Sequence, residues 1–277
     1  MGRSTDGEGT VLRLKEALAA QNKRLAGSRI GIIGLGGFGR PFLGKLIMGE
    51  NPPSEIIISE TDHLIKGVIP YELAMQTIED IKQAYRKAHG EELKTKITPV
   101  RSAWLDRQGG DKHPFASADA VIDATSVGMN NDATSLSNLD FIRKGMVMFH
   151  AAYRTDDGKA RVPPILVEAY RRGADVYNGV SDYMGHQYLQ ATEDLKRASG
   201  LRPDMPGWKD PKWITISEKI RGAARSWAAE QGLKDAMELL PPRAAPAAAP
   251  AVLSPAEKSD ILKRVADALG DDLLFNR

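Results

Sequence analysis

One hexapeptide constrains this chain more than any other feature. Gly34-Leu-Gly-Gly-Phe-Gly39 follows directly on Arg29–Ile33, a short apolar run, and precedes residues 40–49, which read as a helix. An apolar run closed by a glycine cluster predicts a strand buried on both faces of a parallel sheet. G-x-G-x-x-G between a strand and a helix is the pattern of a turn that cradles a pyrophosphate. Gly34 permits the tight turn, Gly36 lets backbone approach the ligand, and Gly39 lets the helix pack on the strand, with Gly37 and Phe38 completing the loop. The helix N-terminus adds unpaired N–H groups and the positive end of its dipole. The same glycines also suit a plain turn in an α/β domain that holds no nucleotide. The strand before and the helix after favour the dinucleotide.

Glu60 ends the second apolar run, Glu55–Ser59, 26 residues after Gly34. An acid near that place accepts hydrogen bonds from a ribose 2′-hydroxyl and repels a 2′-phosphate. Glu60 therefore points to NAD rather than NADP, with His63 and Lys66 close enough to soften the preference. The competing reading is a solvated loop carboxylate.

The rest of the chain fits the same architecture. Residues 97–100, Ala120–Ala124, Met146–His150 and Asp175–Tyr177 read as further strands. Residues 10–25 and 69–89 read as helices, and the polar, glycine-rich residues 1–9 as a loop. Pro163-Pro164 opens a helix ending near Arg172, with Gly173 suited to the left-handed position after it. Two more helices are expected over 182–198 and 213–238. Strands alternating with helices predict an α/β fold, a doubly wound parallel sheet of Rossmann type with strand order 3-2-1-4-5-6.

This domain is expected to span 1–240, closing with its C-terminal helices. Residues 241–251, PPRAAPAAAPA, hold four prolines and six alanines and cannot build a core, so 241–253 reads as a semi-stiff linker. Beyond it, Ser254-Pro-Ala-Glu257 matches a capping box, and Ile261, Leu262, Val265, Ala268 and Leu269 form one stripe. Residues 254–277 therefore read as a tethered amphipathic helix that docks on a protein partner or second subunit, against the alternative that it folds back on its own domain or stays unfolded.

Composition narrows the function classes. In 277 residues, 38 Lys and Arg balance 36 Asp and Glu, which leaves no basic footprint for nucleic acid. Cysteine is absent, so thiolate chemistry and disulfides are excluded. The five histidines show no ligand spacing, so no metal site is expected. No run is long and apolar enough for a membrane span, and the first 25 residues hold no signal-peptide core. The expectation is a soluble, cytoplasmic protein. His150, at a strand end, is either an acid–base group or a hydrogen-bonded structural histidine. Trp208, Trp213 and Trp227 read as packing anchors, and the basic stretch 196–225 as solvated surface.

Several segments, in order, resemble the shikimate/quinate dehydrogenases, specifically their nucleotide-binding half. Ser4-Thr5-Asp6-Gly7 is similar to that family's Asn-Thr-Asp-Gly turn, and Asp123-Ala-Thr-Ser-Val-Gly-Met129 to its Asn-Ala-Thr-Ser-Val-Gly-Met segment beside the nicotinamide. Tyr153 stands where the family has a substrate-contacting tyrosine, and Gly179 through Met184 to Gln187 resembles its G…M…Q element. The resemblance covers about residues 4–200. It implies that Thr125, Ser126, Met129 and Gly179 flank the nicotinamide, that Tyr153 and Gln187 contact substrate, and that Asp6 is the remnant of a proton-transfer pair.

The departures are as informative. The family's N-terminal substrate domain, with the lysine that pairs with the aspartate, has no counterpart here. Ser4 and Asp123 replace asparagines, and Ser59-Glu60-Thr61 stands where NADP-type members carry Asn-Arg-Thr. Hydride transfer needs a proton acceptor and a pocket that orients carbon. Either another polypeptide supplies the lysine, or a different residue acts, or the chain performs no chemistry; a chain that is a fragment of a longer protein also fits. The expected function is an NAD(P)-linked oxidoreductase acting on a small polar hydroxy or oxo acid. The alternative is a non-catalytic dinucleotide-binding subunit in a larger assembly.

Overall fold

In a computed structural model of the chain, six parallel strands form one sheet. They are β1 (Arg29–Ile33), β2 (Glu55–Glu60), β3 (Lys96–Arg101), β4 (Ala120–Asp123), β5 (Val147–His150) and β6 (Asp175–Asn178), in the order β3-β2-β1-β4-β5-β6. The structure describes residues 6–49, 51–63, 65, 67–152, 160–179, 192, 195–197, 199–202, 205–213, 215, 216, 219, 222, 223, 226, 230 and 236–241. The helices among them are α1 (Asp6–Ala20), α2 (Gly39–Met48), α3 (Pro70–His89), α4 (Ser102–Leu105), α5 (Pro164–Arg171) and α6 (Ala236–Leu239).

The strand order is the one expected, and the reason is visible in the strands. β1, β4 and β5 are buried almost throughout, as strands covered on both faces must be. Ile30, Ile32, Ile56 and Ile58 face α1, α2 and α3, where Leu18, Phe42, Leu43 and Leu46 fill the core. Ile33, Ile57, Val121 and Met148 face the other way, against Leu105, Phe115, Phe141 and Leu166. Gly31 makes that second layer fit, since a Cβ there would lie 2.9 Å from the Phe115 ring. Pro99 sits in β3, an edge strand, where a missing N–H leaves no gap in the ladder.

Two features differ from expectation. The first helix begins at Asp6 and ends at Ala20, so the glycine-rich opening is not a loop as far as 9, and Leu25 lies in the turn that follows. Glycine costs a helix about 1 kcal/mol, but at Gly7 its bareness is required. A Cβ there would fall 2.4 Å from the Pro41 carbonyl oxygen, so α1 rests directly on the first turn of α2. Glu8 and Lys45 pair across the same contact. The second feature is α4 and two 3-10 turns, Gly110–Lys112 and Pro114–Ser117, between β3 and β4, too short to leave a periodic signal.

Gly173 holds φ +84° after α5, as expected. The described residues between 212 and 230 are helical, as is α6. Trp213 is buried, its indole N–H donating to the Gly207 carbonyl at 3.0 Å, a packing anchor. Most of the helix expected over 182–198, Trp227, the side chain of Trp208, and the linker and terminal helix beyond Pro241 lie outside the described residues. No described helix is long and apolar enough to cross a membrane.

Candidate functional site

The winding reverses between β1 and β4, so their outgoing loops diverge and leave a crevice at the carboxyl end of the sheet. Gly34-to-Gly39 leaves β1 on one side, and Thr125–Met129 leaves β4 on the other.

The glycine turn is built as its spacing implies. Gly34 takes φ +86°. A Cβ on Gly39 would lie 2.1 Å from the Gly34 carbonyl oxygen, so the helix closes on the turn only because both residues are bare. Gly36 and Gly37 are exposed with open space over their α-carbons. Their backbone is accessible to a ligand at the head of α2, where helix dipole and unpaired N–H groups favour an anion. Phe38 points away and stacks on Phe149, with ring centroids 6.2 Å apart. Arg40, which the motif reading did not single out, donates from Nε to the Leu35 carbonyl at 2.8 Å and adds a cation at the same helix head. Its place directly after Gly39 is the signal that could have found it.

Glu60 is not a solvated loop carboxylate. Its Oε1 accepts the Leu35 backbone N–H and its Oε2 accepts that of Thr61 at 3.2 Å, which ties the end of β2 to the glycine turn. Arg101, its register partner on β3, lies over the Tyr71 ring at 4.3 Å with Asp62 3.4 Å away. His63 donates its backbone N–H to the Thr61 hydroxyl at 3.2 Å, while Lys66 lies outside the described residues.

Asp123 organises the facing loop. Its Oδ1 accepts the Thr125 N–H at 3.0 Å and the Thr125 hydroxyl at 2.7 Å, and its Oδ2 accepts the Ser135 hydroxyl. The carboxylate thus clamps both ends of the loop 124–135 while fully buried. His150, also fully buried, stands beside it at 3.4 Å. Its Nδ1 accepts the Ala152 N–H at 3.0 Å, so the ring proton sits on Nε2, which meets the Val127 carbonyl at 3.0 Å. Both ring nitrogens are engaged by backbone, the arrangement of a hydrogen-bonded structural histidine. The register Asp123, His150, Asn178 lines these buried polar residues along the ends of β4, β5 and β6.

The structure brings Gly34, Gly36, Gly37, Gly39, Glu60 and Thr125 to one crevice. Ser126 is exposed and Met129 half-buried on the same loop, where the Met129 N–H donates to the Ser126 carbonyl at 3.2 Å. Gly179 is buried directly after β6, on the far side of β5. Asp6 opens α1, whose first turn packs on the first turn of α2 through Gly7. Tyr153 and Gln187 lie outside the described residues. Among the described residues no cluster of His, Asp or Glu suits a metal ion.

No protein-family model matches the chain. In sequence it is similar to the NADP(+) shikimate dehydrogenase of an Exiguobacterium species, 33% identical over 94 residues, covering 34% of this chain and 32% of that protein. The NADP(+) shikimate dehydrogenase of Staphylococcus epidermidis is 29% identical over 104 residues, covering 38% and 34%. The chain thus spans about a third of the length of the curated relatives it matches. In fold it is similar to the shikimate 5-dehydrogenase of Listeria monocytogenes, solved with shikimate and NAD, with TM-score 0.51 and 19% identity over 80% of this chain and 63% of that one. The quinate dehydrogenase of Corynebacterium glutamicum, solved with NAD, gives TM-score 0.50 and 18% identity over 81% and 63%. The likeness to shikimate/quinate dehydrogenases that the motifs carry therefore holds in sequence over part of the chain and in fold over about four-fifths of it.

Proposed function

We propose that the chain binds a nicotinamide dinucleotide across the β1/β4 crevice and acts as an NAD(P)-linked oxidoreductase on a polar hydroxy or oxo acid. The observation that carries this reading is the open backbone of Gly36 and Gly37 at the head of α2, facing a loop that touches Gly34 through Thr125. The helix head would hold the pyrophosphate, and Thr125, Ser126, Met129 and Gly179 would flank the nicotinamide. The cofactor supplies the hydride; the chain's own residues bind, orient and exclude water. Asp6, Tyr153 and Gln187 are the proposed substrate-side residues. The names of the relatives and neighbours, with NADP(+) in one set and NAD in the other, support the cofactor class. Glu60 supports NAD, because a carboxylate fixed beside the glycine turn repels a 2′-phosphate.

The test is a fluorescence titration with NADH and NADPH, followed by cofactor turnover assays with cyclic oxo acids. The reading requires binding and consumption of a reduced nicotinamide cofactor, and the Glu60 assignment requires NADH ahead of NADPH. A chain that binds neither cofactor defeats it. A specific observation favours a second reading. Asp123 and His150, the ionisable pair at the strand ends, have their polar atoms committed to backbone and hydroxyl partners. A dinucleotide-binding subunit without chemistry of its own fits that arrangement, with residues 254–277 proposed as its attachment to a partner. NADH binding without turnover, together with a stoichiometric partner on purification, selects it.

A further inference from the structure

Arg161 stands three residues ahead of α5 and reaches back some thirty residues to the loop after β4. Its Nε donates to the Gly128 carbonyl at 3.0 Å, and its Nη2 donates to the Asn131 carbonyl at 2.7 Å and to Asp132 Oδ1 at 2.7 Å. Asp132 is 98% exposed, so the ion pair itself contributes little. The weight falls on the two carbonyls, which one planar guanidinium holds at a fixed separation.

The loop is already clamped at its base, where Asp123 holds Thr125 and Ser135. Its middle is held at Val127, whose N–H donates to the Thr125 hydroxyl at 3.2 Å and whose carbonyl meets His150 Nε2 at 3.0 Å, and from the α5 side at Gly128 and Asn131 by Arg161. Gly128 takes φ +81°, and a Cβ there would lie 2.9 Å from both the Ala133 carbonyl oxygen and Pro164 Cδ. The turn is therefore pressed against the start of α5, and Arg161 is the side chain that pins it there. Displacing it loosens Gly128 and Asn131, and so the Met129 side of the turn that faces the crevice, while Val127 stays tied to His150.

We infer that Arg161 is a positioning residue for the nicotinamide half of the dinucleotide, acting through the loop 126–132 and not by touching the ligand. This rests on the dinucleotide reading above. The pyrophosphate and adenosine ends are held by the glycine turn and Glu60, which Arg161 does not contact, so its effect is confined to one end of the ligand. Lysine cannot substitute, because a point charge does not span two carbonyls in a fixed plane.

The experiment compares NADH with ADP-ribose, which lacks the nicotinamide, by calorimetry on the full chain. In Arg161→Met the affinity for NADH falls about tenfold while that for ADP-ribose changes less than about twofold, as expected when one end of a ligand loses its preorganised site. Arg161→Lys behaves like Arg161→Met toward NADH, and it carries the comparison alone if the methionine variant does not fold. A parallel loss for both ligands, or no change for either, overturns the inference and leaves the dinucleotide reading standing. Wild-type chain that binds neither ligand overturns both.

Discussion

A Cβ on Gly34 would lie 2.9 Å from Cγ2 of Thr125, so the glycine turn and the loop after β4 touch with no room between them. Gly34 also takes φ +86°, where any side chain is strained. Gly34→Ala is therefore expected to cost about 1–3 kcal/mol of stability. Gly36→Ala meets open space, so it leaves the urea midpoint near wild type while weakening NADH binding by roughly tenfold, about 1.4 kcal/mol. Denaturation and NADH titration on the two variants separate a fold-bearing glycine from a ligand-bearing one.

Glu60 has one role in the fold and one proposed toward the cofactor. It accepts the Leu35 N–H, and the proposed cofactor reading gives the same carboxylate the ribose 2′-hydroxyl. Glu60→Gln keeps an acceptor for Leu35 and removes the charge. NADPH affinity is expected to rise relative to NADH by about tenfold, the scale of one charge-assisted contact. Equal ratios in the variant and wild type, measured by fluorescence titration, discard the assignment of cofactor choice to Glu60.

What was legible in the sequence is what local pattern encodes. β1, β2, β4 and β5 are short, mainly apolar runs, and the glycine fingerprint set the β1 to α2 connection and, with the alternation, the strand order. Gly7 was misread because a glycine in a polar opening counts as a breaker until Pro41 is known to lie against it. The bonds of His150 were illegible because its partners, Val127 and Ala152, are backbone groups that carry no side-chain signal. Arg161 belongs to no motif, and its place against Gly128 and Asn131 arises only when α5 packs beside the loop.

The α1–α2 contact makes its own prediction. A side chain at Gly7 must push aside the Pro41 carbonyl, which is backbone and cannot rotate away. Gly7→Val is expected to destabilise the chain by about 1–3 kcal/mol through overpacking, despite valine's better helix propensity. Because the first turn of α2 moves with Pro41, NADH affinity drops as well. An unchanged melting temperature would show that α1 does not rest on α2.

His113 supplies a pH signature independent of any ligand. Its ring is buried and stacked on Phe141 at 4.4 Å between centroids, its Nδ1 accepts the Phe115 N–H at 3.1 Å, and its Nε2 finds no partner among the described residues. Burial lowers its pKa to about 4, against a weaker opposing pull from Asp106. The fold therefore holds the neutral ring. In the unfolded chain the imidazole takes up its proton near pH 6.5, so between 6.5 and about 4 the unfolded state binds more protons and stability falls as pH falls. Below about 4 this contribution is lost in full, and above 6.5 it is present in full. His113→Asn keeps an acceptor for Phe115 and has no proton to gain. Urea denaturation at pH 7 and pH 5 is expected to give a larger drop for wild type than for His113→Asn, and identical drops would place the acid sensitivity elsewhere.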